Sequence, residues 1–153
     1  MTMSNAMPEL SATLEKFETA LLSPVISGEL VEWIAAANEA MQELCRSMRR
    51  QFVAIHQKEF AEIARQDPEL SNCVQQLQNE DATIAHELQH AQQRLTSLAE
   101  LAEMAEPDEL RVETLREQVV EQCVELVLHI RKQEAAAATW LTEAFQRDRG
   151  DVD

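Results

Sequence analysis

Three stretches of this chain carry an apolar residue at every third or fourth position for about 35 to 40 residues each, the period at which an α-helix returns to one face. From near Glu29 to around Arg65 the stripe is Leu30, Ile34, Ala37, Met41, Leu44, Met48, Phe52 and Ile55, in a register expected to run unbroken. From Pro68 to about Ala105 it is Leu70, Val74, Leu77, Ile84, Leu88, Ala91, Leu95 and Leu98. From Leu110 to Phe145 it is Val112, Leu115, Val119, Cys123, Leu126, Ile130, Ala137, Leu141 and Ala144. At 1.5 Å per residue each helix is on the order of 50 Å long, so the three can lie side by side with matched ends.

A shorter helix precedes them, with Leu10, Leu14, Phe17 and Leu21 on one face. It stops at Ser23 and Pro24, before Gly28, because proline lacks a donor and glycine lets the backbone turn. Asp67 followed by Pro68 reads as an N-cap and first-turn pair, and Glu106, Pro107 and Asp108 make the turn into the last helix. Two glycines and no tyrosine in 153 residues also favour helix over sheet. The fold expected is all-α, an up-and-down bundle of three long antiparallel helices plus the short N-terminal one. One domain spans residues 8–149, with 1–7 and 150–153 expected to be disordered tails.

The formal net charge of −15 repels phosphate backbones and anionic headgroups, so neither nucleic acid nor membrane is an expected partner. The start, MTMSNAMPEL, lacks the basic and then apolar pattern of a signal peptide, and no apolar run reaches the roughly 20 residues of a membrane span. The cytoplasm is the expected location. Cys45, Cys73 and Cys123 are odd in number and far apart, which suits packing by reduced thiols better than a disulfide framework or a zinc knuckle.

Folding the chain back near residues 66 and 107 sets its polar exceptions at similar heights. Glu59, Asp81, Gln133 and Glu134 fall on or near the inner faces, with His56 and His129 on the flanks. Asp81 occupies a slot in phase with Leu77 and Ile84, where a carboxylate needs a partner such as Gln133. Carboxylates and histidines gathered inside a bundle are the general recipe for an iron or manganese site.

Leu77 to Asp81, read as L-x-x-E-D, then Leu126 to Ile130 with its His129, then EAFQRD from Glu143 to Asp148, together resemble a hemerythrin-like domain of the bacterial HHE type. The resemblance spans roughly Glu29 to Arg149. It implies a four-helix bundle with a diiron site of five histidines and two carboxylates, from H-x-x-x-E, H-x-x-x-H and H-x-x-x-x-D/E pairs on successive helices. His129 and Glu134 match the last pair. His56, however, has Phe60 four residues on and Glu59 one place early, and Leu77 and Asp81 stand where the H-x-x-x-H pair belongs. The literal H-x-x-x-H, His86 and His90, lies off the apolar stripe and is expected to face solvent. Glu87 with His90 makes one E-x-x-H, where a ferritin-like site needs two.

With four histidines in all, the resemblance implies the fold without the complete diiron centre, and no metal or other cofactor is expected. No Ser, His and Asp constellation or phosphate-cradling loop can be placed, so the chain is not expected to be an enzyme. The leading expectation is a non-enzymatic bundle acting through protein–protein or self association. The alternative is an iron-binding oxygen or redox sensor with a reduced site of His56, Glu59, Asp81, His129 and Glu134. A second alternative is a structural spectrin-like helical module.

The last long helix carries a second apolar strip, Val120, Val124, Val127 and Leu128, on the side away from its main stripe. A helix apolar on two sides is contacted on two sides, either by the short first helix or by a second copy of the chain. Trp33 and Trp140 sit beside their stripes and suit core or edge packing.

Overall fold

A computed structural model describes residues 7–150, and among these there are helices and no strands. Residues 1–6 and 151–153, most of the expected tails, lie outside the described residues. Helix α1 is Met7–Leu22, α2 is Leu30–Arg50, α3 is Gln57–Gln66, α4 is Ser71–Ala102 and α5 is Glu109–Gly150. No described helix is long and apolar enough to cross a membrane.

All four apolar residues expected on the face of α1 are buried. The chain then turns at Gly28, whose φ of 87° lies in the left-handed region that glycine enters without a Cβ clash. Trp33 staples this turn, its indole N–H donating to the Ser23 carbonyl at 3.1 Å while its ring packs into the core. Lys16 near the middle of α1 pairs with Glu43 of α2, and Arg50 at the last residue of α2 pairs with Glu9 near the start of α1.

The register of the next helix is not continuous, which corrects the expected stripe. Between α2 and α3 lies a π-helical segment, Gln51–His56, where the Gln57 N–H reaches back five residues to the Phe52 carbonyl. This admits one extra residue per turn and rotates everything beyond it. After Met48 the buried positions are Gln51, His56, Phe60 and Ile63, and the step of five falls inside the π segment. Phe52 is only half-buried against the core, and His56, expected on a flank, is 1% exposed.

Asp67 caps the next segment as expected, its carboxylate accepting the Glu69 N–H at 3.1 Å ahead of a 3-10 turn at Pro68–Leu70 that leads into α4. Every apolar residue expected on the inner face of α4 is buried. Asp108 similarly caps α5 by accepting the Arg111 N–H at 3.2 Å.

The buried apolar residues form two clusters. One joins α1, α2, the second half of α4 and the first half of α5; the other joins α3, Leu70, Val74 and Leu77 with Ala137, Leu141 and Ala144. Helix α1 packs on α2 and α5, whereas α3 packs on α4 and α5. At about 1.5–3 kcal/mol for each fully buried large side chain, both clusters are substantial. Between them lie the buried polar residues Gln51, His56, Gln133 and Glu134.

Much of the second strip on α5 is covered. Val127 is fully buried in the first cluster and Val120 packs against it, so neither belongs to a free face; Val124 is half-buried and Leu128 is 49% exposed. Cys123 is buried, Cys45 and Cys73 are half-buried, and all three thiols are free. Burial pushes the Cys123 thiol up to about 12. Trp140 packs on the second cluster.

Candidate functional site

The π segment turns Gln51 and His56 inward together, and the layer assembles around them. His56 Nδ1 donates to Asp81 Oδ2 at 2.7 Å, and Nε2 donates to Glu134 Oε1 at 2.6 Å. The remaining oxygens are also filled. Gln51 Nε2 donates to Glu134 Oε2 at 2.8 Å, and Gln133 Nε2 donates at 2.8 Å both to Asp81 Oδ1 and to the Leu77 carbonyl. Each carboxylate thus takes one N–H from the histidine and one from a glutamine, which is how a buried ionic group avoids an unsatisfied lone pair. Phe60 stacks on the imidazole with ring centroids 4.9 Å apart.

Burial alone would lower the His56 pKa, but the hydrogen bonds to Asp81 and Glu134, reinforced by their charge, hold it up at about 9. At neutral pH the ring is therefore an imidazolium with two N–H donors. Glu59 is half-buried, and its desolvation raises its pKa against the opposing charge of His56, with Glu134 adding to the rise.

His129 belongs to a different set. Its Nε2 donates to Glu80, and its Nδ1 donates to Glu87 at 3.0 and 3.2 Å. Partial burial again lowers its pKa and the two carboxylate bonds raise it, the net effect being upward. His86 and His90 are exposed on α4 as expected, their rings 4.9 Å apart.

Of the residues expected at one level, His56, Asp81 and Glu134 are in direct contact, Glu59 stands within electrostatic reach, and His129 is bound elsewhere. Gln51, Glu80 and Glu87 were not expected in these roles. Glu80 and Glu87 are seven residues apart, two turns on one face of α4, a spacing that points at a common partner.

These residues do not fit the diiron centre that the resemblance implies. A metal ligand offers a nitrogen lone pair, and both His56 nitrogens are committed to N–H donation. The ring stands between Asp81 and Glu134 rather than beside them, so the three do not converge on one point. Among the described residues, no group of three or more His, Cys, Asp or Glu side chains is arranged to hold a metal ion.

A second feature lies at the end of the protein where α1 turns into α2 and α4 into α5. Arg116 rests 5.5 Å from the centroid of the Trp33 ring, and Val25, Leu30, Leu101 and Ala102 share one cluster, which sets the two turns together. Five of the large exposed apolar side chains are found here: Leu22, Ile26, Val31, Met104 and Leu110. Between the last turn of α4 and the first turns of α5 runs a groove lined by Leu101, Met104, Leu110 and Leu115.

Comparison with known protein families, with characterised proteins and with solved structures gave no match.

Proposed function

We propose that this chain is a non-enzymatic, hemerythrin-like bundle of antiparallel up-and-down helices in which an imidazolium–carboxylate layer stands in place of a diiron centre, and that it acts by associating with protein. The order of side-chain pairs supports the topology, with Lys16 to Glu43 and Arg50 to Glu9 between α1 and α2, and His129 to Glu87 and Gln133 to the Leu77 carbonyl between α5 and α4. The Gln133 to Asp81 bond favours this reading over a spectrin-like module, which requires no polar layer. The observation that carries the function is the collection of Leu22, Ile26, Val31, Met104 and Leu110 at one end, exposed where an isolated bundle has no use for apolar surface. A net charge of −15 turns such a surface away from nucleic acid and anionic membranes and toward protein in the cytoplasm.

The alternative, a reduced iron site acting as a sensor, would require His56 to release a carboxylate and present a nitrogen to the metal. Metal analysis and an optical spectrum of protein produced with added iron separate the two. Iron far below stoichiometric is expected; near-stoichiometric iron that disappears in His56→Gln, while far-UV circular dichroism shows that variant folded, would overturn the proposal. Sedimentation velocity across a wide concentration range then tells self-association from a need for another chain.

A further inference from the structure

The groove at the α4–α5 end has a chemistry that selects its occupant. Its floor is apolar, from Leu101 and Leu115, and its rims carry Met104 and Leu110, which are 58% and 78% exposed. Around this floor the charge is one-sided. From Glu100 to Gln118 there are seven acidic residues and two arginines, and Glu100 and Asp108 themselves line the groove beside Arg111. The other arginine, Arg116, is held by Glu113 and lies over Trp33. The neighbouring turn adds exposed Glu29 and Glu32, and no lysine or arginine occurs between Lys16 and Arg46.

Resting on the association reading above, we propose that this groove takes an amphipathic helix from another protein, its apolar face flanked by lysines or arginines. A furrow between two helices accepts the ridge of a third, and side chains at i, i+3, i+4 and i+7 of the incoming helix would meet Leu101, Met104, Leu110 and Leu115. Flanking cations would face the acidic rim, which speeds encounter and selects against wrong partners. A second copy of this chain is disfavoured at the same place because it would set one acidic rim against another. The chemistry recognised is therefore apolar in the centre and cationic at the edges.

The test uses the full chain and a labelled model peptide of about 18 residues, five helical turns, with a leucine face and lysine flanks, beside a version carrying glutamate for every lysine. Fluorescence anisotropy is expected to show binding of the lysine peptide that weakens as salt is added, and none of the glutamate peptide. Met104→Ser with Leu110→Ser keeps every charge and alters only exposed side chains, and it should weaken binding roughly tenfold or more by removing two anchors. Leu128→Ser, at an exposed site outside the groove, should leave binding unchanged. The inference is overturned if the lysine peptide does not bind, if the glutamate peptide binds equally, or if the Met104/Leu110 pair has no effect. A dimer in sedimentation that the same pair abolishes would overturn the cationic occupant while leaving association intact. Stoichiometric iron at His56 would instead remove the reading on which the inference rests.

Discussion

Two histidines in this protein are each held between two carboxylates, and only their surroundings differ. His56 is 1% exposed between Asp81 and Glu134, which are 16% and 10% exposed. His129 is 26% exposed between Glu80 and Glu87, which are 43% and 36% exposed. The pairing chemistry is the same, yet the first set lies in a low-dielectric layer between two apolar clusters and the second lies along a helix surface. Coulombic attraction grows as water is withdrawn, and so does the cost of losing one partner. The buried trio is accordingly expected to govern folding, and the exposed trio to be close to dispensable.

The largest effect should follow from His56→Ala. It leaves Asp81 and Glu134 facing each other across a vacated site without their cation, a loss on the order of 3–5 kcal/mol. Against a total of roughly 5–15 kcal/mol for a domain, that approaches unfolding. Urea denaturation followed by far-UV circular dichroism measures it, and a cost below about 1 kcal/mol would mean that the buried layer behaves like a surface pair.

Next in size is the dependence on pH. The His56 pKa rises from its ordinary 6.5 to about 9 on folding, so the folded state holds the proton more tightly. Its contribution is complete below pH 6.5 and is lost as pH climbs through the window to about 9. The whole change amounts to on the order of 3 kcal/mol. Stability measured across that window should fall in the unaltered chain and in His129→Ala, and should stay nearly level in His56→Gln. A slope that disappears instead with His129 would reverse the ranking of the two sites.

How much of this contrast was legible in the sequence depended on where the helical period held. The stripes of α1, α4 and α5 kept one register, and Leu10 to Leu21, Leu70 to Leu98 and most of Val112 to Ala144 are buried as their spacing implied, with Leu115 half-buried. Asp81 stood out because it broke an apolar stripe, and Gln133 proved to be its partner. Between Met48 and Phe60 the same reasoning failed, because extrapolating the stripe from Ile55 reaches Glu59 and Glu62. The apolar residues actually buried, Phe60 and Ile63, come one place later, and that offset was the readable sign of an inserted residue. His56 was misplaced by the same π segment, which is why the buried histidine looked like a flank, and nothing in the stripe pointed to Gln51. His129 was misread differently, since a match to one pair of a metal motif drew attention from Glu80 and Glu87 on the opposing helix.

Replacing the whole buried layer by apolar residues sharpens the comparison further. With Gln51→Met, His56→Leu, Asp81→Leu, Gln133→Met and Glu134→Met, no charge or amide of the hydrogen-bonded network is left behind, and the neighbouring Glu59 is only half-buried. The change in stability should be less than about 2 kcal/mol in either direction, since a buried ion network often breaks even against hydrocarbon of similar volume. Register should change more than stability, because the π segment would no longer have polar side chains to turn inward. Amide-exchange protection around residues 51–57 reads that directly, and an unchanged pattern would show that packing of Phe60 and Ile63 alone sets the bulge.

The smallest effect is expected from His129→Gln. The amide can keep one N–H donor toward Glu80 or Glu87, and water already reaches all three side chains, so the loss should be within about 1 kcal/mol. It should shrink further between low and physiological salt, since exposed charges are screened over about 8–10 Å. His56→Gln in the same salt series should show little relief, because ions do not enter the layer between the clusters. A cost above about 2 kcal/mol at His129, unaffected by salt, would mean that the α4–α5 surface there is shielded from water by something bound to it.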